Sequence, residues 1–250
     1  MNTNNRFLQI TKFLIFSISL LMVAVGKEVR AQSPVSFQAK VGIGLASFWG
    51  KNTDGKAKFS YKIGAGMDYT FNKAWSLQPS LNFVSNGYKE EEAGIGKASM
   101  NELYLELPIM VAARLNLAKN SGLVLSAGPY VAYGVGGKTS VVVEKKIPTI
   151  IGFETVADKY KFDTFGHIND GKMGNKRFDA GIGLGITYEN RNIILGLESQ
   201  LGLVNVNDKL KEVAELAGLD DFAAKNISAF VTIGYKSVSY THLRAHETLS

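Results

Sequence analysis

Three stretches carry residue types able to do chemistry. Ala132-Tyr133-Gly134-Val135-Gly136-Gly137-Lys138-Thr139 nearly spells a phosphate-cradling loop. Such a loop needs a glycine where Ala132 stands, and a helix N-terminus behind it to hold the phosphate. Ser140-Val141-Val142-Val143 follows instead, a β-like run, so the segment reads as the end of a strand. Gly181-Ile182-Gly183-Leu184-Gly185 fails as a dinucleotide fingerprint for the same reason, because it lies inside an alternating strand pattern. His167, His242 and His246 are the histidines. His167 stands near Asp163 and Asp170 at no spacing that a metal site or general base requires. His242 and His246 are four apart beside Glu247, a helical metal-site spacing, but they occupy a tail that breaks the pattern of everything before it. With no cysteine there is no thiolate ligand, thiol nucleophile or disulfide. The expectation is a non-enzymatic chain with no catalytic residue, no metal and no cofactor.

The charges that remain are arranged differently. Lys40, Lys62, Asp68, Glu102, Glu106, Arg114, Arg177, Asp179, Glu189, Glu198 and Lys236 all fall in the polar frame of period-two segments, five cations against six anions. Buried charges persist when paired and hydrogen-bonded. Nearly balanced charge on one face of many strands therefore predicts a network filling an enclosed polar interior.

Stepping along the chain gives the elements that would enclose it. From Phe59 to Phe71 every odd position is apolar or aromatic and every even one is glycine or polar. Leu103 to Leu115 and Phe178 to Tyr188 repeat the pattern. Eight strands follow, at about 37–49, 58–71, 74–87, 101–116, 122–137, 177–189, 193–204 and 226–236. Most exceed the five or six residues usual in soluble sheets, and match the ~9–11 of a tilted membrane strand. Short connections (72–73, 117–121, 190–192) alternate with long ones (50–57, 88–100, 138–176, 205–225). The expected fold class is all-β: an eight-stranded antiparallel up-and-down transmembrane β-barrel, porin-like, with a polar filled interior and both chain ends on the periplasmic side. A soluble ligand-binding barrel would keep its apolar face inside. Here that face is near-continuous and rimmed by Tyr69, Phe71, Trp75, Tyr188 and Tyr235 at one end, and by Trp49, Phe59, Phe83 and Phe178 at the other, which fits lipid outside.

Residues 1–31 read as a signal peptide. Arg6 and Lys12 precede an apolar run from Phe13 to Gly26, too short to span a bilayer, and Val29 and Ala31 suit a cleavage site. The barrel domain is expected over 32–236. Without Arg6, Lys12, Lys27, Arg30 and Glu28 the formal charge falls from +6 to +3, too weak and unclustered for nucleic acid. The expected partners are outer-membrane lipid, the outer-membrane assembly machinery, and an extracellular partner at the long loop 138–176. Within that loop Val141–Val143 and Ile150–Phe153 suggest a hairpin, and 208–216 suggests a short helix that covers the barrel mouth.

The segments Lys40-Val41-Gly42, Asp68-Tyr69-Thr70-Phe71, Trp75-Ser76-Leu77-Gln78-Pro79-Ser80-Leu81, Gly87-Tyr88-Lys89, Tyr104-Leu105-Glu106-Leu107-Pro108, Gly128-Pro129-Tyr130, Phe178-Asp179-Ala180-Gly181 and Gly202-Leu203-Val204-Asn205 follow one another from about 37 to 236. In this order they resemble the PorT-type outer-membrane β-barrel family of Bacteroidota. The resemblance implies a barrel in the outer membrane and brings no catalytic residues. Members are porin-like or linked to protein secretion or gliding, so a structural or surface-interaction role stands beside a narrow solute channel and a secretion accessory. The chain departs from the family after Tyr235, where Ser237 replaces the usual terminal aromatic and 237–250 loses the alternation, like a non-native tail.

Overall fold

The computed structural model describes residues 34–50, 56–92, 96–118, 120–149, 152–167, 170–207 and 224–237. The signal peptide expected at 1–31, the helix expected at 208–216 and the tail beyond Ser237 lie outside these residues. Ten strands are present: β1 (Val35–Trp49), β2 (Lys58–Thr70), β3 (Trp75–Glu92), β4 (Gly96–Ala118), β5 (Ser121–Gly136), β6 (Lys138–Thr149), β7 (Gly152–Asp163), β8 (Phe178–Asn190), β9 (Ile193–Gly202) and β10 (Lys225–Lys236). Eight of them close on themselves. The order β3-β2-β1-β10-β9-β8-β5-β4 is completed by direct β3–β4 pairing, and every pairing is antiparallel. Closure leaves no open edge among these eight strands, which is what hydrocarbon demands.

The alternation in sequence becomes alternation in exposure. Outward Ile43, Leu197 and Val231 are 61%, 60% and 61% exposed, while inward Asp68, Glu102 and Glu106 are at 1% or less. An apolar outside around a charged inside is the inverse of a water-soluble core. Aromatics gather at the short-turn end, where Tyr69, Phe71, Trp75, Tyr188 and Tyr235 are exposed together with Phe37. At the other end Phe59 and Phe178 are exposed, whereas Trp49 is half-buried, its indole N–H donating to Gly202 O at 3.1 Å.

Two long connections are more ordered than the sequence suggests. Residues 88–100 are mostly strand: β3 and β4 stay paired from Tyr88↔Met100 out to Glu92↔Gly96. The hairpin of the longest connection is β6–β7, with Val141 facing Tyr160 and Thr149 facing Gly152. Its second arm therefore begins at Gly152, and the Val141–Val143 run pairs with Asp158–Tyr160, not with 150–153 as the apolar spacing suggested. β6 adds to the free upper edge of β4, from Gly96↔Val143 to Met100↔Thr139. Together β3, β4, β6 and β7 form a sheet that projects past the barrel rim.

The glycine-rich stretch that imitates a phosphate loop makes this departure possible. Pairing slips between Leu103↔Gly136 and Tyr104↔Gly134, a bulge that leaves Val135 extra. Gly137 then adopts φ 153°, and a Cβ there would lie 2.2 Å from Asn101 O. Only glycine lets the chain turn so close to β4 and continue as β6.

Candidate functional site

The barrel interior holds its polar side chains in layers, built because alternate strands point their residues at the same height. Nearest the short turns, β2, β4, β8 and β10 contribute Asp68, Arg114, Glu189 and Lys236. These are every second strand around the barrel, and their side chains close a ring across the lumen. Arg114 Nη2 donates to Asp68 Oδ2 at 2.6 Å and approaches Glu189 Oε2 at 3.5 Å. Lys236 Nζ completes the circuit, 3.0 Å from Glu189 Oε1 and 2.5 Å from Asp68 Oδ2. Gln78 Nε2 adds a third donor to Asp68 Oδ2 at 3.2 Å. Signs alternate around the ring, so each charge has opposite neighbours and none is left alone.

One layer up, Glu198 on β9 accepts from Lys40 on β1 at 2.7 Å and from Lys62 on β2 at 2.8 Å. Lys62 also lies 3.9 Å from Glu106 and 5.6 Å from the face of Phe230. Glu106 takes amide donors from Asn82 at 3.1 Å and Gln200 at 2.5 Å, and Gln200 in turn accepts from Ser228 at 3.2 Å. This layer too balances, two carboxylates against two ammonium groups. Its cavity, lined by Lys40, Lys62, Asn82, Met110, Glu198 and Gln200 among others, is about 40 Å³, room for a few waters and no more.

The third layer lies under the mouth and is built from different material. Glu102 accepts from Asn175 Nδ2 at 2.6 Å, and Asn175 Oδ1 accepts from Asn207 Nδ2 at 2.7 Å. Asp179 accepts from Asn226 Nδ2 at 3.0 Å, Tyr130 OH at 3.3 Å and the Ala180 N–H at 2.8 Å. Asn226 also reaches Tyr104 OH at 3.4 Å. Amides and phenols replace lysine and arginine here.

Arg177, expected among the interior cations, does not join them. It sits before β8 at the rim, solvent-exposed, donating from Nη1 to Gly134 O at 2.7 Å with its guanidinium 5.5 Å from the centre of the Phe165 ring. The reason is that β8 begins only at Phe178, so residue 177 has left the alternating frame. The other ten predicted interior residues point inward along their strands.

What sequence reasoning missed is the plug. After β7 the chain enters the barrel mouth: Thr164 bonds Asn101 O at 2.9 Å, and Phe165, 2% exposed, packs edge-on against Tyr104 with ring centres 5.4 Å apart. Phe165, Tyr104, Tyr130 and Ala132 form one apolar cluster; Phe48, Met100, Val206 and Ala224 form a second, with Tyr88 and Met173 against it. Gly134 leaves the space Phe165 fills, since a Cβ there would fall 2.4 Å from the ring. A readable signal existed in the inward frame itself, which turns apolar and aromatic toward the long-loop end at Phe48, Met100, Tyr104 and Tyr130.

His167, Asp163 and Asp170 do not converge. Asp163 pairs with Lys138 at 2.6 Å at the root of the β6–β7 hairpin, and His167 is exposed. Among the described residues no three or more His, Cys, Asp or Glu side chains gather into a metal site.

Solved barrels similar to this chain include Ail, the attachment invasion locus protein of Yersinia pestis, crystallised with the heparin analogue sucrose octasulfate (10% identity, 81% of this chain and 99% of that one, TM-score 0.38). Neisserial surface protein A is similar at 14% identity, over 83% of this chain and 98% of that one, with a TM-score of 0.38. OprG from Pseudomonas aeruginosa follows at 11%, over 84% and 99%, with a TM-score of 0.40. Such identities and scores are too low to transfer any role. No curated protein matches the sequence. Residues 24–208, most of the chain, match the outer membrane protein beta-barrel domain. The chain belongs to that family, and its place is the cell outer membrane.

Proposed function

We propose that this protein is a closed, non-enzymatic barrel that anchors an extracellular sheet in the outer membrane for surface interaction. The observation that carries this reading is the contrast between the lumen and the rim. The lumen is crossed by the Asp68–Arg114–Glu189–Lys236 ring and capped by Phe165, with space for only a few waters between. The rim extends β3, β4, β6 and β7 well past closure, and β7 pairs with no further described strand. Charges at Asp158, Lys159 and Lys161 along β7 discourage indiscriminate strand addition. The hairpin is therefore the surface proposed to meet an extracellular partner.

On this reading residues 1–31 direct export, the barrel domain spans 32–236, and the outer-membrane assembly machinery inserts it into lipid. The order of the segments quoted above supports a PorT-type relationship within Bacteroidota. Planar-bilayer recording of the purified protein tests the closed lumen. No steady openings are expected, and a stable unitary conductance would replace this reading with a narrow channel.

A further inference from the structure

Above the rim, the frame that faces lipid lower down changes its residue type. β3 and β4 keep one register along their length, so Lys89 continues the outward frame of Leu81 and Phe83. Lys97 and Ser99 likewise continue that of Leu103, Leu105 and Leu107. Successive pairings then set one residue from each neighbouring strand side by side: Lys56 opposite Lys89, Lys89 opposite Ser99, Ser99 opposite Ser140, and Ser140 opposite Lys161. Facing partners share a face, so three exposed lysines flank two half-buried serines in one row across the sheet. Lys97 and Lys159, exposed on the same face, stand one row farther from the barrel with Val142 between them. Among the described residues the one acid in these two rows is Glu91, the register partner of Lys97.

Two features separate this face from an ordinary solvated one. Like charges directly opposite each other, as at Lys56 and Lys89, destabilise a sheet, and an anion between them removes the penalty. Edge protection accounts for the lysines of β7 but not for Lys56 and Lys89, which lie on the other side of β4. The height of the row says which anion it meets. Leu103 is the last outward apolar residue of β4, and Ser99 lies four residues beyond it. On a tilted strand that is about 10 Å higher, the level of lipid headgroups above the hydrocarbon. We propose that this row binds the phosphate groups of the phosphorylated glycolipid in the outer leaflet. Lysine binds phosphate as a point charge, and the hydroxyls of Ser99 and Ser140 offer donors between the ammonium groups. Lys89 and Lys161 stand three strand spacings apart, about 14 Å, so their flexible stems reach inward over both hydroxyls. The row meets the outer leaflet only on the reading given above, in which this sheet is extracellular; conduction through the lumen would leave it unchanged.

Native mass spectrometry of the full chain, refolded in detergent, reads bound lipid directly. The probes are diphosphoryl lipid A, the same lipid stripped of its phosphates, and inorganic phosphate. Diphosphoryl lipid A should form saturable adducts that salt weakens and inorganic phosphate does not displace. The stripped lipid should bind at least about tenfold more weakly, because each lysine near an anionic surface contributes a factor of about five. By the same arithmetic Lys89→Gln combined with Lys161→Gln should weaken diphosphoryl lipid A at least about tenfold. Lys73→Gln, exposed at the short-turn end, should leave binding unchanged. A heat-shift gel confirms that each variant is folded, and Lys56→Gln with Lys159→Gln replaces the first pair if that pair does not assemble. Equal adducts from the wild type and the folded double variant overturn the proposal, as does equal binding of the two lipids. Displacement of the lipid by inorganic phosphate also overturns it, since the row would then be a site for a free anion.

Discussion

The short-turn half of the lumen and its mouth solve the same problem with different chemistry. In the lower half, charges from alternate strands pair directly across the barrel, Lys236 reaching Asp68 over a sequence separation of 168 residues. At the mouth the carboxylates Glu102 and Asp179 are held by amides, phenols and an aromatic plug supplied by the connection between β7 and β8. The lower half needs only strand residues, so its register alone positions it. The mouth depends on a loop folding inward. The difference separates a scaffold, rigid by construction, from a cap whose stability is set separately.

Breaking the ring should have the largest effect. Asp68→Asn leaves Arg114 and Lys236 sharing Glu189 in a water-poor lumen, and removing one member of a buried ion pair costs about 3–5 kcal/mol. Urea unfolding followed by the heat-shift gel should show that loss. The same chemical change at the mouth should behave oppositely. Glu102→Gln removes a buried charge that makes no ion pair among the described residues, so stability should hold or rise by about 1–2 kcal/mol. Equal losses in the two variants would erase the distinction between the halves.

Phe165→Ala empties the aromatic cluster at the mouth and should cost about 3 kcal/mol, the usual penalty for deleting a buried ring. The loss should be local. Hydrogen exchange in 164–177 should accelerate while the barrel strands stay protected, and uniform acceleration would mean that plug and barrel unfold together.

A smaller effect is expected where the hairpin joins the barrel. The Lys138 ammonium, hydrogen-bonded to Asp163, holds that carboxyl below its usual range. A lowered folded value means the pair's contribution is present above the ordinary aspartate pKa and is lost as pH falls through the folded value. Asp163 is fully exposed, so the change should be slight and confined to the hairpin. Protection factors at the β6–β7 root, referred to the intrinsic exchange rate at each pH, should fall on acidification, and Asp163→Asn should abolish that change.

The same contrast divides what the sequence makes legible from what it hides. Strand alternation announces the barrel because its period of two puts every lipid-facing residue in one frame, and ten of the eleven interior charges were placed by that frame alone. Arg177 escaped it because one residue before β8 the frame no longer applies. Which charges would pair was not readable, since a ring across alternate strands depends on register and on shear between strands distant in sequence. The plug was hidden for another reason. Phe165 is a single aromatic in a polar connection, and no local period distinguishes an inward-folding residue from an exposed one.

The claim beneath all of this is that the apolar frame touches hydrocarbon and the polar frame is enclosed. Nitroxide labels at Leu107, Ile182 and Ser228 in reconstituted bilayers test it directly. Labels at Leu107 and Ile182 should relax strongly with lipid-soluble oxygen, and the label at Ser228 should be shielded from it. Shielded labels at Leu107 and Ile182 with an oxygen-accessible label at Ser228 would contradict the account.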